Sequence, residues 1–310
     1  MSTPLLTVII CTYNRANILG ECLGSLYAQT ASPEYWRVLV VDNNSTDATQ
    51  EETLKFVGCL PGLSVVMEPV QGLSHARNRG LAEAQTEWVA FLDDDAKAHP
   101  GWVEAILETM AKGDFEAFGG PYYAWHKYGP PPVWLPNDFG TYDGAEQYGP
   151  LGEFHIPGGN CAFERTLAMA CGGFPPELGM SGNKSAYGEE TLLFNKMQAQ
   201  GYRLGFVPDM SIDHCVLPYK YKLRWQLISA FASGRDAPYA SEERFSWRER
   251  FRHCKHCIKS TCKMLICCCN LWSARGKRRT FILARQTIHS IGRLYTMLRM
   301  AIRKTPCPRP

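Results

Sequence analysis

Four short runs near the N-terminus are apolar almost without a break: "LLTVIIC" (5–11), "WRVLVVD" (36–42), "LSVVMEP" (63–69) and "EWVAFLD" (87–93). They are rich in Val, Ile and Leu and lack the two-residue alternation of a strand with one wet face. That pattern predicts strands buried on both faces. Between them, helix-like patterning appears near 17–29, 46–57 and 74–85, with Ser45 or Thr46 placed to cap the second helix. Strand and helix alternate, which predicts an α/β fold of Rossmann-like type, a mostly parallel sheet sandwiched by helices.

Open sheets of this kind bind ligands beyond the carboxyl ends of their strands. The first run ends in Cys11-Thr12-Tyr13-Asn14, the second in Asp42-Asn43-Asn44, and the fourth in Asp93-Asp94-Asp95, so polar groups gather at one edge. No G-x-G-x-x-G follows the first strand and no G-x-x-x-x-G-K-[ST] occurs, which argues against a dinucleotide enzyme and a P-loop nucleotidase. Three adjacent carboxylates repel one another unless a cation sits among them. Asp93 and Asp95, two apart, can be aimed near one point by the bend that ends a strand. Hard oxygen ligands favour Mg²⁺ or Mn²⁺, ions that usually serve substrate phosphates. For a lone D-x-D, an acidic loop capping the next helix is the plainer account.

From 121 to 158 the chain is dense in Pro, Gly and aromatics without a clear period, the composition of a long functional loop. After it come "GGNCAFERTLAMACGGF", an amphipathic helix "GEETLLFNKMQAQ" closed by Gly201, and a strand "YRLGFVP". The net charge of +3 hides an asymmetry: residues 1–243 carry 16 Lys/Arg against 29 Asp/Glu, whereas 244–310 carry 17 against one, Glu249. A basic tail on an acidic body implies an anionic partner. Phe281, Ala284, Ile288, Ile291, Tyr295, Leu298 and Ile302 recur at steps of three and four, with Arg285, Arg293, Arg299, Arg303 and Lys304 around them. This is a basic amphipathic helix suited to an anionic membrane surface, the alternative being a helix packed on the catalytic domain with its basic face solvated. No recognised nucleic-acid module is present, and no nucleic acid is expected.

Six of the 13 cysteines crowd between Cys254 and Cys269. The N-terminus lacks the basic leader and cleavage site of a secretory signal, so reduced thiols are expected rather than a disulfide framework. Cys254-x-x-Cys257, with His253 and His256 nearby, does not clearly supply the two ligand pairs of a zinc site. No apolar stretch reaches the roughly 20 residues that a spanning helix needs. A cytoplasmic protein, peripheral on the inner face of the membrane, is the expectation.

One ordered set of motifs extends this reading: "VIICTYNRANIL", "VVDNNSTDAT", "GLSHARNRGL", "AFLDDDA", "PGGNCAFER…CGGF", "GEETLLFNKMQAQGYRLGFVPD" and a following "DH". In this order and at these spacings they resemble the inverting glycosyltransferases of family 2, which have the GT-A fold and use a nucleotide-diphosphate sugar. The resemblance runs from about Thr7 to Arg235. It implies that Thr12, Tyr13 and the adjoining Asn14, with Asp42, hold the nucleoside base, and that Arg77 and Asn78 lie along the nucleotide. A solvated helix residue is the plainer account of Arg77. By the same resemblance Asp93 binds the ribose and Asp95 the metal, Mn²⁺ or Mg²⁺, while Asp94 has no direct role. His214 matches a histidine at the metal or diphosphate, although a lone histidine after a strand is more often structural.

Gly188-Glu189-Glu190 matches the family's Glu-Asp pair, whose second member is usually the catalytic base. Glu stands here where Asp is usual, so Glu190 is the expected base and Glu189 the alternative. Two acids in a first helical turn also complement the helix dipole without any catalytic role. Gly159 and Asn160 match the loop beneath donor and acceptor. Trp134, with Trp125 and Tyr128, is a candidate acceptor wall, and core or lid packing is the plainer account of each.

The expected protein is thus a metal-dependent inverting glycosyltransferase of the hexosyltransferase type. It would move a sugar from a nucleoside diphosphate, UDP foremost, to a hydroxyl of a saccharide or lipid-linked acceptor, as in surface or exopolysaccharide assembly. Residues 1–243 would form the GT-A catalytic domain, with a donor half to about 120 and an acceptor half from 121. Residues 244–310 would form a basic, Cys-rich helical extension. The alternative is a catalytically inactive sugar-nucleotide-binding membrane scaffold, against which the intact Asp93, Asp95 and Glu190 count.

Overall fold

The computed structural model describes residues 4–182, 184–268 and 273–302. The four apolar runs form strands β1 (Leu6–Thr12), β2 (Trp36–Asp42), β3 (Ser64–Met67) and β4 (Trp88–Leu92). The helical stretches between them form α1 (Leu19–Tyr27), α2 (Thr49–Leu54) and α3 (Leu73–Glu83). Neither Ser45 nor Thr46 caps α2. Its N-cap is Ala48, and the first-turn N–H of Thr49 donates to Asp47 Oδ1 at 3.0 Å.

Next come β5 (Ala96–Ala98), α4 (Trp102–Lys112), β6 (Ala117–Gly119), β7 (Tyr122–Trp125), β8 (Gly149–Pro150), β9 (Asn160–Glu164) and α5 (Arg165–Ala170). Then follow α6 (Glu189–Ala199), β10 (Leu204–Phe206), β11 (Ile212–Cys215), α7 (Leu223–Ala240), α8 (Trp247–Cys268) and α9 (Ala274–Ile302). The large sheet has the order β3-β2-β1-β4-β9-β6-β10-β8 and the small one β5-β11-β7. In the large sheet β1–β2, β1–β4, β2–β3 and β6–β10 are parallel, whereas β4–β9, β6–β9 and β8–β10 are antiparallel.

Two apolar layers explain why the strand runs are continuous. Successive side chains of a strand point to opposite faces. Val8 and Ile10 accordingly join a core with Leu23 of α1 and Trp102 of α4, while Ile9 joins a second core with Leu81 of α3, Phe163 and Phe194. Each such side chain contributes about 1.5–3 kcal/mol on burial, so the sheet is fixed from both sides. β3 departs from the expectation of full burial because it lies at the sheet edge, and its side chains are half-buried or exposed.

Within the described residues the chain divides into two compact units. The first gathers Met1–Trp125, Gly140–Pro176 and Leu193–Cys215, and so holds both sheets. The second gathers His126–Phe139, Glu177–Leu192 and Val216–Pro310. The second unit therefore groups two internal segments with the C-terminal helices.

In the first unit one buried side chain ties the sheets together. Asn160 opens β9 and is fully enclosed. Its Oδ1 accepts the Trp102 indole N–H at 2.8 Å, and its Nδ2 donates to the carbonyls of Pro121 and Met210, each at 2.8 Å. Those carbonyls lie just before β7 and β11, the strands that form two thirds of the small sheet. Chain crossing there is close: a Cβ on Gly120 would lie 1.9 Å from the Met210 carbonyl oxygen.

In the second unit α7 and α9 touch through backbone. A Cβ on Gly234 would lie 1.9 Å from the His289 carbonyl oxygen, and one on Gly292 would lie 2.2 Å from that of Phe231. Thr296 Oγ1 adds a hydrogen bond to the Arg235 carbonyl at 2.7 Å. The predicted apolar stripe of α9 is consequently divided. Phe281 is buried, but Ile291, Tyr295 and Leu298 are exposed, because Gly292 and Thr296 face α7. Cys269, Arg303 and Lys304, named in the sequence reading, lie outside the described residues, as does the Ile302 side chain. Among the described residues Cys254, Cys257, Cys262 and Cys267 are free thiols. No described helix is long and apolar enough to cross a membrane.

Two substitutions test this account. Asn160→Ala strands an indole N–H and two carbonyls in the core, each at about 1–3 kcal/mol, and is expected to destabilise the protein by about 3 kcal/mol or more in urea unfolding. A variant within about 0.5 kcal/mol of wild type, the scatter of neutral surface changes, would show that the three bonds carry no weight. Gly292→Ala forces α7 from α9 and is expected to cost about 1–3 kcal/mol by the same measurement.

Candidate active site

The parallel register of β1 and β2 sets Thr12 opposite Asp42, both buried, at the carboxyl edge of the sheet. Asp42 Oδ1 accepts the Ser45 N–H at 2.9 Å and turns the chain after β2. Tyr13 is exposed at the same edge. Asn14 has φ of 52°, in the left-handed region that Asn tolerates better than most residues. Its N–H donates to Ser45 Oγ at 2.9 Å and its Oδ1 accepts the Thr46 N–H at 2.8 Å. Asn14, predicted to touch the base, thus laces together the loops after β1 and β2.

Sequence reasoning passed over Asn43 as a working residue. Its Nδ2 donates to the carbonyls of Glu68 and Val70 at 3.0 and 2.7 Å, and its Oδ1 accepts the Gly72 N–H at 2.8 Å. That side chain fixes the entry to α3, where Gly72 adopts φ of 149°. The signal was faint, since an Asn after a strand reads only as a turn former.

The three carboxylates after β4 have separate partners. Asp93 Oδ1 lies 3.8 Å from Arg77 Nη2, Asp94 Oδ1 lies 3.4 Å from Arg15 Nε, and Asp95 Oδ1 lies 3.2 Å from His214 Nε2. His214 reaches Asp95 because β5 and β11 run antiparallel with Ala96 opposite His214, and the Cys215 N–H donates to the Asp95 carbonyl at 2.8 Å. The imidazole also meets Tyr122 edge-on, with 5.7 Å between ring centroids.

Arg77 is not the solvated helix residue of the plainer account. It is buried, with its guanidinium 6.0 Å from the Phe91 ring centroid and 5.3 Å from that of Phe174. Aromatic faces favour a desolvated guanidinium, and the nearby carboxylate offsets its charge. Asp94 is buried too, and burial pushes its carboxyl up to about 7, opposed by Arg15 and reinforced by Asp95.

One ligand atom from each of Asp93, Asp95 and His214 lies within 4.8 Å of the other two. Two carboxylate charges at that separation repel by roughly 3 kcal/mol at an effective dielectric near 20. Two carboxylates and an imidazole are a donor set that fits a hard or borderline divalent cation. Gly159 lies directly beneath. Its carbonyl accepts the Asp93 N–H at 3.1 Å, and a Cβ there would sit 2.0 Å from Asp93 Oδ2.

Two predicted contacts are redirected into the protein. Asn78 Nδ2 donates to the Phe174 carbonyl at 2.7 Å and its Oδ1 accepts the Phe174 N–H at 2.8 Å, so its amide braces the chain beyond α5. Asn160, expected on the acceptor, has both amide N–H groups and its oxygen committed to the core bonds described above. Trp125 lies in the first unit with Lys97 Nζ 3.8 Å from its ring centroid.

The remaining predicted residues belong to the second unit. Trp134 packs edge-on against Phe281, with 4.7 Å between centroids, in place of a free wall, while Tyr128 is exposed. Glu189 and Glu190 occupy the first turn of α6, Glu189 buried and Glu190 half-buried. The helix dipole favours acids there. Gly188, with φ of 96°, supplies the carbonyl that accepts the Leu192 N–H at 3.0 Å.

The segment leading to these glutamates hangs on a pair that sequence reasoning missed. Asp236 is fully buried and accepts the Tyr187 N–H at 3.0 Å and Arg235 Nε at 2.8 Å, while Arg235 Nη2 donates to the Ser185 carbonyl at 2.9 Å. Nothing in the local sequence of α7 distinguishes this buried ion pair from a solvated one.

Comparison with known proteins agrees with this architecture. Residues 7–172 match the family model described as glycosyl transferase family 2. The chain is 31% identical over 236 residues to the succinoglycan biosynthesis protein ExoM of Rhizobium meliloti, covering 73% of this chain and 72% of that protein. It is 27% identical over 243 residues to the glucosyl-dolichyl phosphate glucuronosyltransferase of Haloferax volcanii, covering 74% of each. A shorter match of 35% over 118 residues to the glycosyltransferase AglE of the same organism spans 39% of that protein.

Among solved structures, the mannosyltransferase PcManGT from Pyrobaculum calidifontis, in complex with GDP-Man and Mn²⁺, aligns with a TM-score of 0.65 at 19% identity, over 96% of this chain and 88% of that one. S. aureus TarS 1–349 in complex with UDP-GlcNAc aligns with a TM-score of 0.55 at 19% identity, over 73% and 65%. These likenesses show the fold, and the family match covers more than half of the sequence. The chain belongs to glycosyl transferase family 2 and is a glycosyltransferase with a GT-A fold.

Proposed function

We propose that the protein is a metal-dependent inverting enzyme that transfers a sugar from UDP to a hydroxyl of a saccharide or lipid-linked acceptor, in the assembly of a surface or exported polysaccharide. The observation that carries this reading is the convergence of Asp93, Asp95 and His214 at the carboxyl edge of β4. Asp95 and His214 would hold Mn²⁺ or Mg²⁺, which supplies positive charge to a leaving diphosphate. Asp93 binds the ribose. Thr12, Tyr13 and Asp42 receive the base, and the Arg77 guanidinium beside Asp93 favours the diphosphate. Gly159 keeps the floor open where the sugar lies.

In the second unit, Glu190 takes the proton from the acceptor hydroxyl as that oxygen attacks the anomeric carbon from the face opposite the leaving group, with Glu189 as the alternative base. The donor half of the catalytic domain ends near 120, the acceptor half runs to 243, and residues 244–310 form an extension that meets an anionic membrane surface on its cytoplasmic side. Support for the metal and donor class comes from PcManGT with GDP-Man and Mn²⁺ and from TarS with UDP-GlcNAc. Support for the acceptor class comes from relatives named for glucosyl-dolichyl phosphate and for succinoglycan biosynthesis.

Asp95→Asn and Glu190→Gln separate the two halves of this reading. Both are expected to lower transfer by about 10²–10⁴-fold with the fold intact. Only Asp95→Asn should lose the Mn²⁺-dependent thermal stabilisation by UDP-sugars. Normal transfer rates in both variants would sink the assignment. Gly159→Ala drives a methyl into the Asp93 carboxylate, and at least a tenfold weaker UDP affinity is expected by calorimetry, a loss of about 1.4 kcal/mol.

A further inference from the structure

Helix α8 of the second unit carries an apolar stripe. Trp247, Phe251, Cys254, Ile258, Cys262 and Leu265 recur at steps of four, three, four, four and three, so they fall on one face along about 27 Å of helix. All six are exposed, Trp247 at 69%, Ile258 at 61% and Leu265 at 58%. The helix is held on α9 by another side. His253 Nε2 meets the Ser290 carbonyl at 2.9 Å, Cys257 is buried, and Thr280 Oγ1 donates to the Cys267 carbonyl at 3.1 Å. The apolar stripe is therefore left uncovered by the helix that α8 packs against.

Its charge says what fits it. Arg248, Arg252, Lys255, Lys259 and Lys263, all exposed, line one flank of the stripe. Arg248 lies 5.5 Å from the Trp247 ring centroid and Lys255 lies 4.6 Å from that of Phe251, so cationic heads border the apolar rings. The sole acid of α8 is Glu249, which is occupied by the N–H and hydroxyl of Ser246, each at 2.7 Å. Apolar side chains that enter the acyl boundary beside cations that stay at headgroup level are the layout of a helix lying in a membrane interface. Such charged company rules out spanning.

We propose that the exposed stripe of α8, with its basic flank, is the surface by which this protein lies on an anionic lipid bilayer. This rests on the membrane contact proposed above and assigns it to α8, not to the α9 stripe that the sequence suggested. The stripe orients the helix parallel to the bilayer, and the flank selects anionic headgroups.

The test is co-sedimentation of the full chain with vesicles of phosphatidylglycerol and phosphatidylcholine, against phosphatidylcholine alone. Wild type is expected to bind the anionic vesicles, with binding that falls as salt rises, and to ignore the neutral ones. Ile258→Asp/Leu265→Asp and Lys255→Glu/Lys259→Glu are each expected to lose at least tenfold in binding, while Leu298→Asp on α9 retains it. Unchanged thermal unfolding verifies that these exposed substitutions leave the fold intact. Wild-type binding that survives both α8 variants overturns the assignment to α8 alone. Absence of any wild-type binding overturns the membrane contact as well. A dimer by equilibrium sedimentation that Ile258→Asp/Leu265→Asp dissolves, without vesicle binding, makes a second copy the occupant and overturns the proposal too.

Discussion

Mutual repulsion among Asp93, Asp94 and Asp95 is the constraint on which this site depends. Three carboxylates at the end of one buried strand are tolerated only if each meets a compensating group, and the fold brings these from three places. Arg77 comes from α3, Arg15 from the loop after β1, and His214 from β11 of the small sheet. The charge of Asp94 is further relieved by burial, which holds its carboxyl near 7. Asp93 and Asp95 remain the pair whose oxygens approach His214 closely enough to share a cation. The middle residue thus stands between the two and answers to a partner of its own, Arg15.

The same constraint explains the close packing around the site. Arg77 is buried near two phenylalanine rings, where the nearby Asp93 carboxylate helps to offset the charge of its guanidinium. Gly159 passes under Asp93 so closely that a side chain would displace it. The reciprocal hydrogen bonds of Asn78 with Phe174 hold one of those rings in place. Electrostatics, aromatic packing and a missing Cβ therefore act on one carboxylate from three sides.

Much of the first unit was legible because its signals are local. Uninterrupted Val, Ile and Leu runs mark strands covered on both faces, and "DDD" after the fourth run marks a site edge. What was not legible depends on pairings between distant segments. That His214 belongs beside Asp95 follows from the antiparallel register of β5 and β11, which no local pattern encodes. Asn160 and Asn78 looked available for ligands, since an Asn in a glycine-rich loop gives no hint that three buried groups await its amide. On α9 the apolar period was real, but Gly292 and Thr296 made the tighter contact, because backbone packs on backbone where a side chain is small. The burial of Asp236 beneath the segment that carries Glu189 and Glu190 likewise arises from tertiary folding alone.

Asn160 has one more consequence. A single amide, only a few ångströms across, fixes where the chain enters β7 and where it enters β11, and so determines where His214 stands relative to Asp95. The arrangement is set by strand pairing: β5 and β11 hold the imidazole and the carboxylate 3.2 Å from each other. It is also a single point of failure, since all three bonds come from one amide. Tolerance to sequence drift at the start of β9 must therefore narrow sharply at that one residue.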